Sequence, residues 1–125
     1  LISRRMHGVM NTTGRNNARQ LRGRHHNPAF MNPLDLEALG LDDGDIIRIA
    51  SRHGEIAAIV ESEDAIKRGV ISMSHCFGGT DPDSPSDVRE AGANTGLLSS
   101  VEHEYDPHSG IPRMSAIPVR ISRGA

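Results

Sequence analysis

Residues Met31 to Val60 read MNPLDLEALGLDDGDIIRIASRHGEIAAIV, and this stretch decides the fold. Asn32 fits the N-cap of a helix, where its side-chain oxygen accepts from an unpaired first-turn amide. Pro33 follows at the first helical position, where its missing N–H costs nothing. Met31 and Leu36 stand at the two positions of a hydrophobic staple. Gly40 fits the left-handed residue that closes a helix, and Leu36 with Leu41 fits the apolar pair of that closure. The spacing therefore predicts a short helix over 33–39 with both ends specified.

Asp42-Asp43-Gly44-Asp45 reads as a turn, with Gly44 free to take positive φ. Ile46 to Ala50 is a β-rich run, Ser51 to Glu55 a hairpin loop, and Ile56 to Val60 the returning strand. Ile47 and Ile49 share one face; Ile56, Ala58 and Val60 share a face of the partner. Apolar residues on both faces suit a small barrel better than an open sheet. Asp64 to Arg68 reads as one turn stopped by Gly69, and Val70 to Ser74 as a third strand. Leu1-Ile2-Ser3 reads as part of a strand. Ser115 to Ser122 reads as a closing strand, at an edge or bulge because of Pro118.

The 125 residues suit one domain, 1–125. No apolar run approaches the roughly 18 residues of a membrane span. The single cysteine excludes an internal disulfide framework and favours a reducing compartment. The expectation is a cytoplasmic protein, with any export signal lying upstream of Leu1. Starting inside a strand, the chain reads as a fragment of a longer one. Charge is unevenly spread. Residues 1–34 hold six arginines and no acid, a formal +6, whereas the remainder carries −8. An arginine-rich, acid-free segment suits phosphate or another polyanion; the alternative is a basic surface that pairs with the acidic remainder. Gly78 to Asn94 is rich in Gly, Pro, Asp and Ser and reads as a long loop.

Five pieces in order carry a family resemblance: LISRR with Asn11-Thr12, NPLDLEALGLDDGDIIRIASRHG, RGVISMSHCFGG, Asn94 with Leu97, and DPHSGIPRMSAIPVRI. Together the chain resembles the C-terminal dinucleotide-binding domain of molybdopterin oxidoreductases. The resemblance implies a mainly β fold, a double-psi β-barrel with a six-stranded core and short helices. It implies a C-terminal fragment that closes over a molybdopterin guanine dinucleotide cofactor carrying molybdenum or tungsten. The partners it implies are the remaining domains of the same enzyme chain, which ligate the metal and hold the catalytic groups. The fragment alone is expected to be inactive, with no catalytic or metal-ligating residue of its own.

Matched motifs imply cofactor-binding residues. Ser3, Arg4 and Arg5 match the strand-to-loop segment that approaches the dinucleotide, where an Arg fork grips phosphate or pterin oxygens. Asn11 and Thr12 match the polar pair that follows. His75-Cys76-Phe77-Gly78 resembles a His-Gly-Trp-Gly loop bordering the pterin, so His75, Phe77 and Gly78 are candidates. Here Cys76 stands in place of a Gly and Phe77 in place of a Trp, which removes an indole donor. Asn94 matches an Asn that hydrogen-bonds the cofactor ring, and Arg113 lies in the last matched loop.

Other chemistries have weaker support. His25 and His26 are adjacent, His103 and His108 are separated by Asp106-Pro107, and no cysteine pair has zinc spacing. A lone Cys76 beside Phe77 reads as a small inert side chain. Asp81, Asp83 and Asp87 lack the EF-hand spacing and its terminal Glu. No nucleophile elbow is present. Two alternatives use the same central unit. Swapped-hairpin DNA-binding regulators share the LGLxxGD turn and hairpin, with the arginines on phosphate. A double-psi barrel also serves as an adaptor module. Nucleic acid is the weaker partner, because the flanks of the central unit would be surplus in such a regulator.

Overall fold

A computed structural model of the chain describes residues 1–80 and 87–124. Local signals of the central unit are realised. A helix spans Pro33–Leu39, and Asn32 Oδ1 accepts from the Leu34 amide. Gly40 closes it at φ 63°, with the Gly40 amide on the Glu37 carbonyl and the Leu41 amide on that of Leu36. Met31, Leu36 and Leu41 are all buried in the main core. Gly44 takes φ 89°, and the turn is pinned by the Asp45 amide on the Asp42 carbonyl.

Six strands form one mixed sheet: β1 (Ile2–Arg4), β2 (Ala29–Met31), β3 (Ile46–Ala50), β4 (Glu55–Ser62), β5 (Ile71–Ser74) and β6 (Arg120–Arg123). Their order is β1-β5-β2-β4-β3-β6. β1 with β5 and β2 with β4 are parallel; the other neighbours are antiparallel. Three α-helices, α1 (Ala18–Leu21), α2 (Pro33–Leu39) and α3 (Val88–Ala91), and a 3₁₀ turn at Thr95–Leu98 complete the described elements. The fold is mainly β with short helices. In the hairpin, Ile47 faces Ala58 and Ile49 faces Ile56, and these four residues are buried. All four residues of β5 are buried, so it is covered on both faces.

Some expectations need correction. The closing strand starts at Arg120, not Ser115. Ala116 takes φ 55° and Pro118 lacks an N–H, so the chain cannot pair regularly before Arg120. Instead, the Ile117 amide donates to the Leu1 carbonyl at 2.9 Å and the Leu1 nitrogen to the Ile117 carbonyl at 2.6 Å. The segment before one edge strand thus covers the opposite edge. The named strands themselves do not close into a ring. β2 escapes a pattern reading because it is only three residues long and buried throughout. The loop after Gly78 contains α3, capped by the Asp87 side chain on the Arg89 amide at 2.8 Å. Asp87 is therefore a cap; Asp81 and Asp83 lie outside the described residues.

Candidate binding cleft

Residues that leave β1 build one wall of a cleft of about 790 Å³. Arg4, Arg5, Arg19, Arg22 and Arg24 all line it. The carboxylate in the lining is Glu63. Arg24 is neutralised by a bidentate pair with Glu61, at 2.6 and 3.2 Å. The guanidinium of Arg4 lies over the Phe30 ring, 4.1 Å from its centroid, and that of Arg24 lies at 5.9 Å. Arg4 Nη1 is buried and has no hydrogen-bond partner among the described residues. A buried donor left unmet costs on the order of 1–3 kcal/mol, more when charged. The excess of guanidinium groups in this lining fits an anionic ligand. Burial and then Arg24 hold His26 below its ordinary value, consistent with the positive field here.

A small second core holds part of the lining, through Leu21 and Met6. Val9, Leu21 and Phe77 are buried together, with Met6 packed against them. Gly8 and Gly14 allow α1 to sit close: a Cβ on Gly8 would lie 2.5 Å from the Gln20 carbonyl oxygen. Asn17 caps α1, and Arg22 ends it in the left-handed region at φ 51°.

A second junction joins the loops after β1 and β5. Asn11 Oδ1 accepts from Arg5 Nη1 at 3.0 Å and lies 3.1 Å from His75 Nε2. Asn11 and Thr12 both take positive φ, and the Thr12 hydroxyl donates to the Asn11 carbonyl. Arg5, Asn11, Thr12 and His75 are therefore gathered, with Arg4 one residue away. Ser3 is spent on architecture: its hydroxyl donates to the Met114 carbonyl, and its amide donates to Ser115 Oγ at 3.1 Å. Phe77 is only 2% exposed and belongs to the second core, beneath Arg15. Gly78 takes φ 72°, and a Cβ there would lie 2.5 Å from the Asn94 nitrogen. Asn94 Nδ2 donates to the Gly79 carbonyl at 2.9 Å, and its Oδ1 accepts from the Gly96 amide. Cys76 keeps the left-handed backbone, at φ 71°, that a glycine would adopt freely.

Arg113 stands apart from the cleft lining. Its guanidinium is on Glu104 at 3.3 Å, and Glu104 also meets His53 at 3.1 Å and Arg52 at 3.6 Å. The His53 hydrogen bond, and then Arg113 and Arg52, hold the Glu104 carboxyl below its ordinary range.

Sequence reasoning did not single out Asn27, Arg19, Arg22, Arg24 or Phe30. Asn27 is buried, donates to the Ser74 and Ala93 carbonyls at 2.6 and 2.9 Å, and accepts from the Ala93 amide at 2.7 Å. It ties the end of β5 to the segment before Asn94. The arginine-rich segment 1–34 signalled the cleft arginines as a group; nothing local marked Asn27. Among the described residues no cluster of three or more His, Cys, Asp or Glu could hold a metal ion, and no helix is long and apolar enough to cross a membrane.

Comparisons with known proteins agree on one family. The sequence profile of the Molydopterin dinucleotide binding domain matches residues 1–118. The chain is 36% identical over 88 residues to dimethyl sulfoxide/trimethylamine N-oxide reductase of Rhodobacter capsulatus, covering 70% of this chain and 10% of that protein. It is 33% identical over 87 residues to a tetrathionate reductase polypeptide of Salmonella typhimurium, covering 66% and 8%. An F420-dependent formate dehydrogenase polypeptide of Methanocaldococcus jannaschii is 36% identical over 93 residues, covering 74% and 12%. The chain thus spans about a tenth of the length of the curated relatives it matches. In fold it is similar to acetylene hydratase from Pelobacter acetylenicus, with a TM-score of 0.69, 19% identity, and coverage of 99% of this chain and 18% of that one. The profile match takes in the flanks as well as the central hairpin unit, and none of these relatives is a DNA-binding regulator. The chain belongs to the molybdopterin dinucleotide-binding domain family.

Proposed function

We propose that this chain holds a molybdopterin guanine dinucleotide in a larger oxidoreductase, with the arginine-walled cleft and the Asn11 junction as its contact surface. The observation that carries the reading is the lining of one cleft by Arg4, Arg5, Arg19, Arg22 and Arg24, with Glu63 as the carboxylate in that lining. Arg4 and Arg5 supply charge-assisted hydrogen bonds to the ligand's anionic groups. Asn11 orients Arg5 and His75, and Thr12 extends the same polar rim. Phe77, Gly78 and Asn94 set the backbone that borders this rim, with Ser3 fixing the strand end. Arg113 acts at the far loop, where it also steadies Glu104.

When bound, the cofactor supplies molybdenum or tungsten redox chemistry, with metal ligands and substrate groups drawn from outside residues 1–125. The part played by this chain is to bind and orient. The relatives act on different compounds, so no substrate is assigned.

We also infer that the sheet is the core of a double-psi β-barrel. The two parallel pairings and the reciprocal Leu1–Ile117 backbone bonds support this, since they cover the edge that an open sheet would expose. The single cysteine supports a cytoplasmic setting.

The test is the metal and guanine content of the intact protein and its Arg5→Ala variant. The wild type should contain both, and the variant should retain markedly less. Full molybdenum and guanine content in the variant would remove the role given to Arg5; absence of both from the wild type would overturn the function.

A further inference from the structure

Between Leu98 and Ile117, both buried in the main core, the chain makes an excursion that joins neither core. It is nonetheless ordered by its own bonds. Tyr105 and Pro112 pair as an antiparallel bridge, and the Arg113 amide donates to the Glu104 carbonyl at 2.8 Å. Across the tip, the Asp106 amide donates to the Ile111 carbonyl at 2.9 Å. The Asp106 carboxylate accepts from the His108 and Ser109 amides and from the Ser109 hydroxyl. Glu104 ties this arm to His53 and Arg52 in the loop between β3 and β4, and the Met114 carbonyl ties its base to the Ser3 hydroxyl.

Large apolar side chains stand in solvent along the arm. Val101 is 72% exposed, Met114 60%, Ile111 56% and Tyr105 49%. These are half of the large apolar side chains exposed among the described residues. Single exposed apolar residues are ordinary, but several gathered on one short, ordered arm mark a surface that is covered. The charges on the arm indicate what kind of partner covers it. Glu104 is already matched by Arg113, Arg52 and His53, and Asp106 by donors of its own loop. Little charge is left to steer a transient partner. An apolar surface with its charges internally satisfied suits a permanent contact. The curated relatives, of whose length this chain spans about a tenth, offer such a contact within one polypeptide.

We propose that residues 99–116 form a docking arm that packs its apolar side chains against another domain of the same polypeptide. The inference rests on the reading that this chain works within a larger oxidoreductase, and it adds the surface by which the domain is held there. The Asp106 tip and the Glu104 tie order the arm in advance, which lowers the entropy lost on docking.

The experiment uses the intact polypeptide, purified from a host that makes the pterin cofactor. Tyr105 and, separately, Ile111 are replaced by the photo-cross-linker p-benzoylphenylalanine. Products are read by denaturing gel and peptide mass mapping. The expected product has the mass of one chain and joins the arm to peptides outside residues 1–125. The Val101→Asp/Ile111→Asp double variant sets charge against the docked surface. It should cut the Tyr105 cross-link yield severalfold with circular dichroism unchanged. Leu34→Asp puts the same charge at a 53% exposed position of α2 and should leave the yield at the wild-type level.

A product of twice the chain mass makes a second copy the occupant and overturns the proposal. Products confined to residues 1–125, or none from either position, overturn the docking surface. So does a yield that the charged double variant leaves unchanged, or one that falls equally with Leu34→Asp. Metal and guanine analysis of the same preparation separates the two readings. Cofactor present with no cross-link sinks this inference alone. A cross-link to another domain in a protein that contains neither metal nor guanine sinks the proposed function and leaves the docking surface standing.

Discussion

The Arg4 guanidinium lies 4.1 Å from the centre of the Phe30 ring, and this stacking holds the charge at the cleft while leaving Nη1 without a protein partner among the described residues. A contact of this kind contributes about 0.5–1 kcal/mol, so Arg4 is placed more for binding than for stability. Arg4→Lys keeps the charge but loses the planar fork. Cofactor retention after gel filtration should fall severalfold. Stability in denaturant should change by less than about 1 kcal/mol. A variant with unchanged retention and a large stability loss would reverse that assignment.

Asn27 makes three hydrogen bonds to backbone groups of Ser74 and Ala93 while almost fully buried. Asn27→Ala strands two carbonyls and an amide together. At about 1–3 kcal/mol for each unmet group, a loss of roughly 3 kcal/mol or more is expected. Thermal unfolding should reveal it as one of the most damaging single polar substitutions. A shift no larger than that of an exposed Asn would show that water replaces the bonds.

Cys76 and Gly78 both hold left-handed backbone, at φ 71° and 72°, but their substitutions should act in opposite directions. Cys76→Gly relieves about 1–2 kcal/mol of steric cost and adds roughly 0.5–1 kcal/mol of chain entropy. The net expectation is a small gain in melting temperature. Gly78→Ala forces a Cβ to within 2.5 Å of the Asn94 nitrogen and should destabilise clearly. Equal effects of the two substitutions would be inconsistent with this backbone.

Glu104 receives His53, Arg113 and Arg52, and these partners hold its carboxyl below the ordinary value of 4.5. A carboxylate depressed in the folded state contributes stability that is present above 4.5 and is lost as pH falls through the folded value. Glu104→Gln should therefore lower stability near neutral pH. Urea titrations from pH 7 downward should find wild type and variant converging below pH 4.5. A constant difference across that range would show that the carboxylate's charge contributes nothing.

The candidate site was only partly legible in sequence. Motif matching led to Arg4, Arg5, Asn11, Thr12 and His75, which are gathered around one rim. It could not reveal that Ser3 Oγ is engaged with Met114, or that Phe77 is enclosed with Val9 and Leu21. Those engagements join segments far apart in the chain and depend on the packing of an irregular loop. Asn27 is invisible for the same reason, since its partners at Ser74 and Ala93 have no pattern relation to it.

By itself the sequence determined the helix at Pro33–Leu39, its Asn32 and Gly40 ends, the Gly44 turn and the Ile46–Val60 hairpin. Each depends on groups only a few residues apart, where backbone sterics and local hydrogen bonds act before any tertiary contact. Only the tertiary structure decided the order β1-β5-β2-β4-β3-β6 and the displacement of the last strand to Arg120. It also decided that six arginines scattered over residues 1–34 would contribute five to a single cleft. Charge composition carries no direction. Gly8 and Gly14 against Gln20, and Leu21 against Val9 and Phe77, hold α1 beside the residues that leave β1, so that arginines from both segments line one cleft.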